Sequence, residues 1–488
     1  MQVPSYDYQR SLQQVHQGVR TAFESGITKD KQWRRRMLQC TWWMIEDNKD
    51  AICSALHSDM HKHRFEALGT DCLTVQNSIL QTLGKLDEWT KDEKPARLDP
   101  INFLGNATIR KEPLGVTMII GAWNFPFHSL LQPMVAAIAA GCAMVLKPSD
   151  VGSESQSLLL KIVPRYLDTE AIKIVSAGSH EMECILQHRF DHIFYTGSAN
   201  VGKIIHAAAA VHLTPVTLEL GGQGPAIVCK SADIDLAAKR IALTKVTNAG
   251  QVCLSVNHVL VDPSVRAVLI GRMIHHFNVF LGGEHNQPDY YSRIINDKSF
   301  DRLTTMLEET SGQLNYGGKP NRATRFFPPT IVSNVKTGDA LLSEEIFGPI
   351  LPIVDANLDC AISFTRSTEH PLVLYAFTSD ASEKSRILDE TLSGGVTFNE
   401  CGIHTIASDA PFGGVGHSGL GSYHGKYGIL TFSHLRTCMN ALPNWVDRIM
   451  DFRYPPYTDG KLGKGIHETK PPFDREGNSN KDNRDVVK

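Results

Sequence analysis

From about residue 8 to residue 95, apolar positions recur every three to four residues, as in the run 33–45 with Trp33, Met37, Leu38, Trp42 and Ile45. This spacing predicts a series of amphipathic helices. The grammar then changes. An apolar strand is predicted at 115–120, a helix from near Phe127 to Ala140, a strand at 143–146 that stops at Lys147-Pro148, a helix at 153–167, and strands at 171–175 and 192–195. The second half repeats the alternation, with strands at 225–229, 258–261, 350–354, 373–378 and 395–398 and helices at 234–248, about 265–280 and 300–309. Strands that alternate with helices predict the α/β class, with parallel sheets covered on both faces and a ligand crevice at the carboxyl ends of the strands. Two α/β lobes are expected to meet near residues 219–222, and no short-period repeat is present.

Composition narrows the function classes. With 488 residues, 42% of them hydrophobic, the chain can bury a large core and is long enough for two or three domains. A formal charge of −3 shows no basic bias, so nucleic acid is not an expected partner. The ten cysteines include no C-x-x-C pair and lack the dense spacing of a secreted scaffold, which points to a reducing, cytoplasmic setting without structural zinc. The first seven residues carry neither a basic nor an apolar segment, so no ordinary signal peptide is expected. The longest apolar stretch, 133–146, falls short of the roughly 20 residues a membrane span needs. From Tyr454 to Lys488 the chain is rich in Pro, Gly, Asn and charge and reads as a polar, irregular tail, neither a membrane anchor nor a peroxisomal address.

Three local patterns bear on chemistry. Cys253 ends the string Asn248-Ala249-Gly250-Gln251-Val252-Cys253. A cysteine in a reducing compartment is usually an inert small hydrophobe, as Cys142 and Cys229 read in their apolar contexts. Cys253 differs because its flank is polar and Gly250 permits close backbone approach. Glu219, in Leu218-Glu219-Leu220-Gly221-Gly222, is either the exposed tooth of an alternating strand or a base whose pKa its apolar neighbours raise. Asn124, in Trp123-Asn124-Phe125-Pro126, is either a turn residue or an amide donor for an oxyanion. Thiol, carboxylate and amide together are the set needed to pass an acyl group through a thioester.

Cofactor signals are individually weak. Thr196-Gly197-Ser198, with Gly202 further on, offers a glycine turn, a hydroxyl and a helix N-terminus suited to a pyrophosphate, although it is not G-x-G-x-x-G. Lys147-Pro148-Ser149-Asp150 adds an ammonium and a carboxylate suited to ribose hydroxyls, and Glu345-Ile346-Phe347 a carboxylate and a ring suited to a ribose and a nicotinamide edge. The histidines, including the pairs His61/His63 and His206/His212, are read as structural or solvated, and no metal site is expected.

Taken in order, Trp123-Asn124-Phe125-Pro126, Lys147-Pro148-Ser149, Thr196-Gly197-Ser198, Leu218–Gly222, Gly250-Gln251-Val252-Cys253 and Glu345–Pro349 resemble the motifs of the aldehyde dehydrogenase superfamily from about residue 8 to 453. The segments at 212–217, 411–416 and 421–426 resemble its class 3 and fatty-aldehyde branch. The resemblance implies Cys253 as nucleophile, Glu219 as the base for water and Asn124 as oxyanion donor. It places Lys147 and Asp150 at the adenosine ribose, Ser198 at a phosphate, and Glu345 and Phe347 at the nicotinamide ribose and ring, with Trp123, Ser149, Gly197, Gly202 and Gly221 completing the cofactor set. The cofactor implied is NAD, with NADP as the alternative.

The fold implied is a Rossmann-like cofactor domain (1–93 and 115–221), an α/β catalytic domain (222–407), a small β bridging segment (94–114 and 408–453) that pairs subunits into a homodimer, and the polar tail (454–488). The implied reaction oxidises an apolar aldehyde, whether aromatic, long-chain or terpenoid, to its acid. Three departures stand out: Asp150 where the family has Glu, Leu254-Ser255-Val256-Asn257 in place of the Pro-Asp common after the class 3 cysteine, and a polar tail in place of a hydrophobic anchor. Rivals are a CoA-acylating relative, disfavoured by Glu219; a cysteine hydrolase, which lacks a histidine beside Cys253; and a catalytically idle protein.

Overall fold

The computed structural model describes residues 6–95, 100–283, 287–407, 409–465, 473 and 475. The amphipathic N-terminal run forms helices as its periodicity requires, among them Tyr6–Glu24, Lys31–Asp47, Lys49–Met60 and Thr74–Trp89. Asp30 caps the second of these by accepting from the N–H groups of Gln32 and Trp33. One turn, Leu68–Leu73, is a π-helix, a deformation that often marks a site where side chains are re-aimed.

The chain divides into two compact units, one of residues 1–91 with 111–434 and the other of 92–110 with 435–488. Strands β1 (Thr108–Pro113) and β15 (Ser433–Cys438) pair in a two-stranded sheet. The larger unit holds two further sheets. The first contains β2 (Val116–Ile120), β3 (Ala143–Lys147), β4 (Ile172–Ile174), β5 (His192–Thr196), β6 (Val216–Glu219) and the two-residue β14 (Gly419–Leu420). Their order is β14-β6-β5-β2-β3-β4, parallel except for β14. The chain winds from β2 through β3 to β4 on one side, then returns to β5 and β6 on the other. The crevice of such a doubly wound sheet opens where the order reverses, between β2 and β5.

The second sheet contains β7 (Pro225–Val228), β8 (His258–Val261), β9 (Gln313–Tyr316), β10 (Thr330–Ser333), β11 (Ile350–Asp355), β12 (Val373–Phe377) and β13 (Gly395–Phe398). Its order is β13-β12-β7-β8-β11-β10-β9, with only β9 antiparallel. The central strands of both sheets are buried along their length, which is why they read as continuous apolar runs rather than alternating ones.

The α/β class and the predicted strands and helices are therefore present, most with ends shifted by one to three residues. The strand predictions omitted β1, β6, β9, β10, β14 and β15, all of them six residues or fewer. The tail differs from expectation in one place: residues Asp459–Gly465 form a helix. The remainder of the tail call, at 466–472, 474 and 476–488, lies outside the described residues. No helix among the described residues is long and apolar enough to cross a membrane.

The crevice expectation holds for the first sheet and fails for the second. Only five residues separate the end of β6 from the start of β7. So short a connection brings the carboxyl edge of the first sheet to the amino edge of the second, and the residues just before β7, β8, β11 and β12 face the shared cleft.

Candidate active site

A single cavity of about 1800 Å³ runs along this junction. Asn124, Glu219 and Cys253 all line it, as do Trp123, Lys147, Ser149, Asp150, Gly197, Ser198, Gly221, Glu345 and Phe347. Gly202 does not. It lies buried inside the helix Ala199–Ala210, where a Cβ would press on the Leu220 side chain at 3.0 Å, so this glycine serves helix-to-strand packing rather than contact with a ligand.

The segment before Cys253 is held in an unusual path. Asn248, Ala249 and Gly250 are consecutive residues with positive φ (49°, 51° and 70°). Such a conformation costs about 1–3 kcal/mol at each non-glycine residue and persists only when the surroundings over-determine it. They do so here. The Asn248 backbone N–H donates to Glu66 at 3.0 Å, its side-chain amide donates to the Asn124 and Gln251 carbonyls at 3.3 and 3.2 Å, and a Cβ on Gly250 would collide with the Gly348 carbonyl. Gln251, its side chain buried, donates to the Arg293 carbonyl and accepts from the Ile295 N–H, both at 3.0 Å. The chain leading into Cys253 is thereby anchored.

Asn124 is 6% exposed, and its side-chain amide donates to the Gln251 carbonyl at 3.1 Å. An amide nitrogen carries two hydrogens, so one remains for another acceptor. The Asn124 carbonyl accepts from Lys62 Nζ at 2.8 Å, and Lys62 is paired at 3.0 Å with Asp71 of the π-helix, both side chains being fully buried. Asp71 in turn accepts from the N–H groups of Phe127 and His128, at the start of the helix Pro126–Ala140. Nothing in the sequence distinguishes Lys62 or Asp71 from solvated helix residues. Their role depends on pairing between one helix-end loop and the first turn of another helix.

Glu219 is the last residue of β6 and is 4% exposed. Neither of its carboxylate oxygens has a hydrogen-bond partner among the described residues. Burial alone pushes its pKa well above the ordinary carboxylate range. The exposed-tooth reading is thus excluded, because the antiparallel β14 covers this edge, Gly419 pairing with Glu219. Burial also pushes the Cys253 thiol up to about 12, with the Glu345 and Glu219 carboxyls adding to the shift. Glu345 itself is raised to about 7, again by burial, against the pull of the Gly222 N–H and Arg302. A Cβ on Gly221 would collide with the Glu345 carboxylate, so this glycine is what admits that side chain to the cleft.

The wall formed by the first sheet fits a dinucleotide. Ser198 caps the helix Ala199–Ala210, whose first turn faces the cavity with the N-terminal polarity that favours a phosphate. The Thr196 hydroxyl beside it is buried without a partner among the described residues. At the end of β3, Lys147 Nζ pairs with Asp150 at 2.9 Å, and Asp150 is half-exposed. Trp123 and Phe347 meet edge to face with centroids 5.4 Å apart. Beyond Glu219 and Cys253 the cavity continues between Phe412, Tyr423, His424 and His128, a lining in which burial lowers the pKa of both imidazoles and keeps them neutral.

Elsewhere on the larger unit, His57, His61 and Asp289 place one ligating atom each within 4.8 Å of the others. The four-residue spacing of His57 and His61 was the available sequence signal; Asp289 gives none.

A doubly wound sheet opening on a large cleft, faced by a half-buried thiol and a buried carboxyl, defines a nicotinamide-dependent oxidoreductase. The aldehyde dehydrogenase family model matches residues 5–438, and the chain belongs to that family. It is 42% identical over 446 residues to a "dimeric NADP-preferring" aldehyde dehydrogenase of Canis lupus familiaris, covering 91% of this chain and 98% of that one. It is 39% identical over 449 residues to aldehyde dehydrogenase family 3 member A2 of Pongo abelii, covering 92% of each. Among solved structures it resembles a substrate-bound AldH of Staphylococcus aureus at TM-score 0.86 and 35% identity, covering 88% of this chain and 94% of that one. The chain is an NAD(P)-dependent aldehyde dehydrogenase of the class 3 branch.

Proposed function

We propose that Cys253, Glu219 and Asn124 carry the oxidation of an apolar aldehyde to its carboxylic acid. The observation that supports this most directly is the buried Glu219 carboxyl, without a hydrogen-bond partner among the described residues, lining the same cavity as Cys253. The Cys253 sulfur passes its proton to water in the cleft and adds to the aldehyde carbon, while the carbonyl π pair moves onto oxygen. That oxyanion accepts from the free hydrogen of the Asn124 amide and from the Cys253 backbone N–H. When bound, the nicotinamide dinucleotide supplies the hydride acceptor that converts the hemithioacetal to a thioester. Glu219 then takes a proton from water as the water oxygen attacks the thioester carbon. The C–S pair leaves with sulfur, which regains a proton, and the acid departs.

For the dinucleotide we assign Lys147, Ser149 and Asp150 to the adenosine side, Gly197 and Ser198 to the pyrophosphate, and Trp123, Gly221, Glu345 and Phe347 to the nicotinamide end. Gly202 supports the pyrophosphate turn from behind. Both NAD and NADP are accepted on this reading, because Lys147 already neutralises the Asp150 carboxylate. Phe412 and Tyr423 favour an apolar substrate. The bridging segment at 94–114 and 408–453 pairs two copies into a homodimer; the canine relative is itself named as dimeric. The setting is cytoplasmic.

The test is NAD(P)H absorbance with a panel of aromatic, long-chain and short polar aldehydes. A strong preference for short polar aldehydes overturns the substrate reading. A strict requirement for coenzyme A overturns the role of Glu219.

A further inference from the structure

The helix Lys49–Met60 ends on His61, which sits in the left-handed region at φ 55° and ψ 31°. His57 lies one turn earlier on the same face, and the two imidazole centroids are 4.2 Å apart. Asp289 arrives from more than two hundred residues along the chain and meets His61 Nε2 at 2.9 Å. The approach does not depend on these side chains alone. The Arg293 backbone N–H donates to the Met60 carbonyl at 2.8 Å, which fixes segment 289–293 against the helix end. Arg293, whose charge reaches Asp289, is held by other partners: its guanidinium donates to the Tyr291 carbonyl and lies over the Phe326 ring at 5.1 Å.

We propose that His57, His61 and Asp289 bind one divalent transition-metal ion such as Zn²⁺, with water completing the shell. Two imidazoles and one carboxylate suit Zn²⁺, Ni²⁺ or Cu²⁺ rather than Mg²⁺ or Ca²⁺, which take oxygen donors. Zinc–nitrogen bonds of about 2.0–2.1 Å place tetrahedral ligand atoms roughly 3.3 Å apart. The three donors already lie within 4.8 Å of one another, and all three side chains are free to turn: His57 is exposed, the His61 side chain is 27% accessible and that of Asp289 92%. Ion binding replaces the His61–Asp289 hydrogen bond with two coordinate bonds and adds His57.

The ion acts as a clamp with a reach beyond the surface. The segment it fastens continues to Arg293 and Ile295, whose backbone groups hold the Gln251 side chain two residues before Cys253. Occupancy therefore stabilises the loop that carries the thiol, without any metal at the thiol itself.

The experiment titrates Zn²⁺ and Co²⁺ separately into the full-length chain by calorimetry and follows the visible spectrum of the cobalt form. Wild type is expected to bind one ion at this site and to melt at a higher temperature when it is filled. H57A and D289N should each weaken binding by about tenfold or more and lose the metal-dependent rise in melting temperature. In chelator, H57A should melt and turn over as wild type does, since His57 lies outside the catalytic cleft. Wild-type affinity in both variants overturns the proposal. So does a cobalt spectrum dominated by thiolate charge transfer, which would place the ion on a cysteine.

Discussion

The two large sheets present opposite ends to one cleft. The first offers its carboxyl edge: Trp123 and Asn124 after β2, Lys147 to Asp150 at the end of β3, Thr196 to Ser198 after β5 and Glu219 at the end of β6. The second offers its amino edge: Gly222 before β7, Cys253 and Leu254 before β8, Glu345 and Phe347 before β11 and Leu372 before β12. A carboxyl edge of a parallel sheet leads into helix N-termini, whose free N–H groups attract anions, and this suits a pyrophosphate. An amino edge lacks them. Cys253 instead follows the C-terminal end of the helix Ile234–Val246, whose Thr244 carbonyl is capped by the Ser255 hydroxyl at 3.0 Å. No helix N-terminus helps to ionise this thiol, in keeping with a pKa raised by burial. One wall is therefore built to hold charge, and the other to keep a nucleophile neutral until a base acts.

The strongest test of that division is Cys253→Ala. If the amino edge supplies the only covalent partner, aldehyde oxidation should fall by more than about 10⁴-fold, while NAD(P) binding, followed by quenching of protein fluorescence, stays within about tenfold. Loss of both together would mean that the two walls do not act separately.

Glu219→Gln should separate the two halves of the reaction. One turnover of NAD(P)H forms rapidly and steady-state turnover then slows by about 10²–10⁴-fold, because only the activation of water is lost. Wild-type kcat/KM should also rise with pH: the Cys253 thiol must lose its proton to act and burial pushes its pKa up to about 12, so activity is lost as pH falls below that value. An E219Q variant that keeps the wild-type steady-state rate would show that Glu219 only fills space or that another base serves.

The Lys62–Asp71 pair fastens the first wall from behind. Lys62→Met leaves Asp71 as an uncompensated buried charge, which should cost about 3–5 kcal/mol in urea unfolding. A loss under about 1 kcal/mol would mean that water or another cation replaces the ammonium, and that Asn124 is positioned without it.

How much of this the sequence reveals follows from range of interaction. Most core strands of both sheets are legible because buried parallel strands are continuous apolar runs, whereas the edge strands β9 and β14 and the four-residue β6 and β10, which begin or end on polar residues, are too brief to stand out. Cys253, Glu219 and Asn124 are legible because each carries its own local motif. Lys62 and Asp71 are nine residues apart and ordinary in composition, and only the π-helix and the Asn124 carbonyl give them meaning. The amino-edge placement of Cys253 is likewise invisible until the five-residue β6–β7 connection fixes which ends of the two sheets meet.

The smallest expected effect lies on the first wall, at Asp150. Its carboxylate is half-exposed and paired with Lys147, so it is less able to repel a 2′-phosphate than a longer, unpaired acid would be. Asp150→Glu adds one methylene and extends the charge toward the position proposed for the adenosine ribose. The ratio of kcat/KM for NAD over NADP should therefore rise several-fold, by less than the roughly tenfold that 1.4 kcal/mol would give, with kcat on NAD nearly unchanged. That split is the sharpest form of the comparison, since a substitution confined to the charge-holding wall should alter which dinucleotide is bound and leave the thiol chemistry alone. A ratio that stays fixed, or moves toward NADP, places the ribose elsewhere along the carboxyl edge. A large fall in kcat would instead couple the two walls that the sheet geometry separates.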